Sequence, residues 1–114
     1  MRSKFKIYNP EGTYFVTSSI VNWIPIFSNE KHSEILINTI KHCQQYKSLI
    51  LYAYVIMPDH FHMIISNEDI SKLMQSLKKF SAKEIISSLN EEKNERILEE
   101  FRKAKPDHKK TSTH

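Results

Sequence analysis

A single cysteine, Cys43, stands in 114 residues. That scarcity excludes a disulfide framework and a zinc site built on thiolates. Cys43 falls inside a helical pattern and reads as a small core residue. No apolar run approaches the ~20 residues needed to cross a bilayer, so no membrane-spanning helix is expected. The basic start Met1-Arg2-Ser3-Lys4-Phe5-Lys6 leads into no apolar signal-peptide core, and a cytoplasmic location is expected. Internal repeats and low-complexity segments are also missing. At this length the chain has room for one core, and residues 1–114 read as one domain.

What is present is ordinary in amount and uneven in distribution. Hydrophobic residues make up 39% and charged residues 26%, a balance typical of a globular protein. The net charge is +4, with the basic residues concentrated from Lys72 onward. Such a bias permits a polyanionic partner, because neutralising phosphates releases condensed counterions. A solvated lysine-rich surface is the plainer reading.

Hydrophobic patterning divides the chain into short elements. Thr13 to Ile20 follows a Pro10-Glu11-Gly12 turn, is rich in aromatic and β-branched residues, and reads as a first strand. Asn22 to Phe27, with Trp23 and Pro25, reads as a loop; Trp23 caps the core or, alternatively, stacks a base. Ser28 or Asn29 caps a helix whose stripe is Ile35, Leu36, Thr39, Ile40 and Cys43, ending near Tyr46-Lys47. The continuously apolar run Leu49 to Met57 suits a central strand covered on at least one face, with Tyr52 and Tyr54 packed in the core. Pro58-Asp59 turns the chain, and His60 to Ile65 returns as the second strand of a hairpin. Beyond Asn67-Glu68-Asp69 a second helix opens with acidic residues in its first turn and buries Ile70, Leu73, Met74 and Leu77. Lys72, Lys79 and Lys83 fall together on its other side. Asn90 caps a third helix from Glu91 to about Lys105, which Pro106 stops, leaving 106–114 as an irregular tail. The order strand, helix, strand, strand, helix, helix predicts an α+β domain: a ferredoxin-like antiparallel sheet with helices packed on one face.

His60-Phe61-His62 is the constellation with chemical content. Strand side chains alternate, so the two imidazoles project from one side of the sheet while Phe61 enters the other layer. Two imidazoles so placed suit one divalent ion, which could polarise a phosphodiester. The pair alone is unspecific: zinc hydrolases and cupins use it with further ligands, and two surface histidines on an edge strand need no function. Here the only later histidines are His108 and His114.

The wider context is more specific. Tyr14-Phe15-Val16-Thr17, an amphipathic helix, the block from Ala53 to Ile65 with Met57-Pro58-Asp59-His60-Phe61-His62, and then Leu73 to Phe80 together resemble the single-tyrosine HUH transposases of the insertion-sequence-200 type. Within these the chain is most similar to the REP-associated tyrosine transposases, over residues 12 to about 105. The resemblance implies a metal-dependent endonuclease and strand transferase acting on single-stranded DNA hairpins, usually as a homodimer, without an organic cofactor and nucleoid-associated when bound to DNA. It implies that His60 and His62 hold Mg²⁺ or Mn²⁺ on the scissile phosphate, while a tyrosine from a later helix attacks to leave a 5′-phosphotyrosine.

The sequence departs from that pattern at the nucleophile. Tyr8, Tyr14, Tyr46, Tyr52 and Tyr54 all precede His60. The family's later strand, and the tyrosine-bearing helix that also supplies a third metal ligand, have no counterpart. The expectation is therefore the N-terminal portion of such a domain, truncated at its C-terminus, with no catalytic tyrosine and with a bared sheet edge open to self-association. Candidate DNA contacts are Lys72, Lys79, Lys83, Arg102, Lys103 and Lys105. The alternatives are a non-catalytic DNA-binding remnant and an unrelated small protein whose His60 and His62 hold zinc.

Overall fold

A computed structural model describes the backbone of residues 2–9, 12–20, 22 and 24–112, and side chains within 12–20, 22 and 24–103. Its elements are β1 (Arg2–Asn9), β2 (Thr13–Ser19), α1 (Glu30–Tyr46), β3 (Ile50–Met57), β4 (His60–Ser66), α2 (Ile70–Glu91) and α3 (Glu95–Ser112). Trp23 lies outside the described residues, as do the side chains of Lys105 and of the 106–114 segment.

The four strands form one antiparallel sheet in the order β1-β2-β4-β3. β2 and β3 both run antiparallel to β4 between them. They are therefore parallel to each other, joined through α1 in the split arrangement of a ferredoxin-like fold. The helices lie on one face, which confirms the α+β expectation. The place beside β2 is filled from the N-terminal side by β1, paired from Arg2↔Ser19 to Asn9↔Thr13. This strand was not foreseen, because Arg2, Lys4 and Lys6 made the segment read only as a basic start. Gly12, at φ +91°, takes the backbone conformation that lets the β1–β2 connection close.

Period-two alternation in β2 and β4 supplies the sheet's contribution to the core. Val16, Phe61, Met63 and Ile65 are buried against Leu36, Ile40 and Cys43 of α1, Leu73, Met74, Leu77, Ile85 and Leu89 of α2, and Leu98 of α3. Phe27, in a single 3₁₀ turn at Ile26–Ser28, meets Phe61 edge to face at 6.0 Å between ring centroids. Cys43 is fully buried as a free thiol, as expected.

The helix ends are satisfied locally. Asn29 accepts from the Lys31 N–H, and Asp69 from the Lys72 N–H. Asp69 is thus the cap of α2; its first turn carries no acidic residue, contrary to the sequence reading. α1 ends where Ser48 takes φ +57°, and the Asn67 amide donates to the Lys47 and Ser48 carbonyls. That one side chain ties the β4–α2 connection to the end of α1.

Three further expectations are corrected. β3 is the outer strand of the sheet, and Tyr52 and Tyr54 are 59% and 48% exposed. The apolar run buries only part of itself because no strand among the described residues lies beyond it and Tyr52 is the extra residue in a bulge between Leu51 and Ala53. α2 passes straight through Asn90, and the break comes where Lys93 takes φ +57°, so α3 is capped by Asn94, which accepts from the Ile97 N–H. α3 also runs through Pro106 to Ser112, so 106–112 is not irregular. Proline removes one N–H from the ladder, and the bonds of the adjacent turns continue on either side.

Leu77 is fully buried between the sheet and α2's neighbours. Leu77→Ala is expected to cost about 2–5 kcal/mol in chemical denaturation, the range for emptying a packed leucine site. Burial pushes the Cys43 thiol up from its ordinary pKa, with Lys47 opposing weakly. At alkaline pH the unfolded chain releases a proton that the folded thiol keeps, so stability falls as pH rises through the ordinary thiol range. Cys43→Ala should flatten that leg of the stability profile, and in the native wild type a thiol reagent should react only as fast as the core opens.

Candidate metal centre and nucleic-acid interface

β4 is an inner strand, and its pleat sorts its side chains into two sets. Phe61, Met63 and Ile65 enter the helix-covered core, while His60 and His62 stand half-buried on the other face. The plainer reading placed these histidines on an edge strand; they lie at the middle of the sheet instead. His60 sits between Ser19 and Met57, and His62 between Thr17 and Val55. The two rings meet edge to face with centroids 4.9 Å apart.

Each imidazole is held through Nδ1. The Asp59 carboxylate lies 2.6 Å from Nδ1 of His60, and Thr17 Oγ1 lies 3.0 Å from Nδ1 of His62. A carboxylate can only accept, so Nδ1 of His60 carries a proton, and in the neutral ring the lone pair is then on Nε2. Phe15 flanks His62 with ring centroids 5.7 Å apart. Asp59 is itself fixed, because the two-residue turn Pro58-Asp59 is bound from the β2–α1 connection. Ile20 N–H donates to the Asp59 carbonyl at 2.8 Å and Phe27 N–H to that of Pro58 at 2.9 Å. Neither turn residue takes a positive φ. The hairpin therefore lacks the twist-matched geometry usual for such short loops and is closed with these external bonds.

Among the described residues no group of three or more His, Cys, Asp or Glu is placed to hold a metal ion. A site here would rest on the two Nε2 atoms alone. On β2, β3 and β4 their neighbours on that face are Phe15, Ile64, Val55 and Met57 with the hydroxyls of Thr17 and Ser19, and register places Arg2, Lys4 and Lys6 of β1 across from Ser19, Thr17 and Phe15. Register places Tyr14 opposite Ile65 and Tyr54 opposite Met63, on the helix-covered face. Neither is aimed at the imidazoles.

The candidate DNA contacts fall elsewhere. Lys72, Lys79 and Lys83 are exposed on α2, in the layer across the sheet from His60 and His62. Their neighbour Lys78 is partly buried and so less open to a phosphate, and the same burial pulls its ammonium pKa down. On α3, Arg102 bonds Glu99 at 2.6 Å and approaches Glu95 at 3.5 Å, so its charge is partly answered within its own helix. Lys103 is exposed. The partners Asp59 and Thr17 were not singled out from the sequence. Asp59 was within reach as the residue preceding His60, whereas Thr17 required the β2–β4 register.

No helix among the described residues is long and apolar enough to cross a membrane. No curated protein matches the chain. A family model described as "Transposase IS200 like" matches residues 16–105, a span that includes the end of β2, both histidines, α2 and most of α3. The chain belongs to the IS200-like transposase family.

Proposed function

We propose that this chain is a single-strand DNA-binding unit of the HUH type, in the REP-associated branch, which engages DNA hairpins and takes a divalent ion at His60 and His62. The observation that carries the reading is that Asp59 and Thr17 partner both Nδ1 atoms, so that a cation on this open sheet face would meet Nε2 of each ring. Two imidazoles with otherwise open coordination fit Mn²⁺ better than Mg²⁺, which favours oxygen ligands. Such an ion supplies Lewis-acid polarisation of a phosphodiester oxygen. The residues of the chain orient the imidazoles, offer Ser19 and Thr17 hydroxyls beside them, and provide a flat apolar surface on which a nucleotide can rest.

Cleavage with strand transfer is the family activity. It needs an in-line oxygen nucleophile, and no tyrosine follows His62 in these 114 residues. Tyr14 and Tyr54 point to the other side of the sheet. Binding without covalent cleavage is therefore the activity proposed for the chain as it stands. A homodimer and a cytoplasmic, DNA-associated location accompany this reading. A zinc protein unrelated to DNA is disfavoured by the family membership and by the lack of a third ligand among the described residues.

The test is a labelled single-stranded hairpin incubated with protein and Mn²⁺, run on native and denaturing gels beside a His60→Ala variant and a chelator control. The expected result is a native shift without a denaturation-resistant adduct, weakened by chelator and by His60→Ala. An adduct that vanishes in both controls would show that one of the chain's tyrosines attacks. No shift on any hairpin would overturn the DNA-binding reading.

Asp59→Ala leaves the backbone carbonyl that binds Ile20 in place while removing the carboxylate from His60. Loss of such a partner weakens metal binding about 10- to 100-fold. Calorimetric titration with Mn²⁺ should show a fall of that size, and Thr17→Val a smaller one; unchanged affinity in Asp59→Ala would mean that His60 does not bind the ion through Nε2.

A further inference from the structure

Large apolar side chains are also exposed away from the imidazole face. On α1, the His42 ring lies 4.8 Å from that of Tyr46, one helical turn on. It also reaches across to Phe80 of α2, with ring centroids 6.0 Å apart. Tyr46 is 67% exposed and Phe80 44%, so these rings cover no core. The helices that carry them pack on the Phe61, Met63 and Ile65 side of the sheet. The aromatic group therefore belongs to the layer opposite His60 and His62.

Basic side chains outnumber acidic ones around it, although exposed Glu84 stands one turn from Phe80 and exposed Glu68 and Asp69 stand near the start of α2. Between Glu34 and Asp59 the sequence holds no acidic residue, and between Asp69 and Glu84 it holds none either. Those two stretches are the C-terminal half of α1 with β3, and the first turns of α2. Exposed Lys41 and Lys47 stand on the first, and exposed Lys72, Lys79 and Lys83 on the second. Lys47 and Lys72, with Asn67, Leu73 and Ser76, line a shallow pocket of about 150 Å³. Ser76 precedes Phe80 by four residues on α2, and Lys47 follows Tyr46, so the pocket adjoins the aromatic group at about one helical turn.

Resting on the DNA-binding reading, we infer that this α1–α2 surface is a second contact site for single-stranded nucleic acid, separate from the imidazole face. Bases stack on Tyr46 and Phe80 around His42, and phosphates are held between Lys47 and Lys72 and along Lys79 and Lys83. Single-strand binders combine this pair of features: cations tracking the backbone, and aromatic faces that accept any base. The rings would serve a protein partner equally well, whereas the excess of lysines, Lys41, Lys47, Lys72, Lys79 and Lys83, favours a continuous polyanion.

The experiment is fluorescence anisotropy with a labelled mixed-sequence single strand and with an abasic strand of equal length, at several salt concentrations. Tyr46→Ala/Phe80→Ala should weaken binding to the base-bearing strand by roughly tenfold or more and leave the abasic strand unchanged. Tyr46→Phe/Phe80→Trp should retain wild-type affinity. Lys79→Gln/Lys83→Gln should weaken both strands and lower the salt slope by about 0.7 for each phosphate no longer neutralised. All the altered residues are exposed, and circular dichroism checks that the variants fold. If these variants bind like wild type while His60→Ala or Lys103→Gln loses affinity, DNA binding stands and the second surface is refuted; the rings would then serve a protein partner or nothing. If the wild type binds neither strand, both readings fall.

Discussion

The alternation of β4 is the constraint on which the rest depends. Phe61, Met63 and Ile65 can all be buried only if the strand lies flat against the helix layer, and that same pleat forces His60 and His62 to the other face. A slip of one residue would bury two imidazoles and expose three of the best-packed core residues, at a cost the domain could not offset. The position of the candidate metal donors is thus set by hydrophobic packing. It needs no interaction of its own to hold it.

Much of the fold follows from periodicity and was legible for that reason. The stripe of α1 with Asn29 before it, the hairpin around Pro58-Asp59, and the alternation of β2 and β4 all carry local signals. The failures share a cause, which is that local composition does not report on neighbours. β3 has the composition of a central strand because Tyr52, Val55 and Met57 are large and apolar, yet it lies at the edge with those residues exposed. β1 has the composition of a basic, solvated start and becomes a strand through its pairing with β2. Asn90 and Asn94 are equally good caps in isolation. The choice fell to Asn94 because Ser88 and Leu89 are buried, and a break at Asn90 would have cut short the turn that buries them.

The candidate site divides in the same way. The shared face of His60 and His62 could be read from their spacing, since a strand has only two faces. Their second partners could not be read so directly, because Thr17 is 45 residues away from His62 in sequence. The same register that brings Thr17 to His62 puts Ser19 beside His60, so the outer face of β2 is polar where it borders the imidazoles and aromatic, at Phe15, just beyond. The lysines that sequence grouped on one side of α2 do share a side. That side is across the sheet from the imidazoles, a fact that helical periodicity alone does not contain.

The Pro58-Asp59 turn joins the chemistry to the fold most directly. Asp59 serves twice: its carbonyl accepts from Ile20 N–H, and its carboxylate orients His60. Pro58 accepts from Phe27, whose ring packs on Phe61 between the two histidines. The contacts that seat the turn and those that aim the first imidazole therefore run through the same two residues. Loosening the β2–α1 connection would release the carboxylate from a defined position without touching either histidine. A two-imidazole centre would have no surplus ligand with which to absorb that loss, so its affinity for an ion would depend on how tightly a buried phenylalanine and two backbone N–H groups hold a turn.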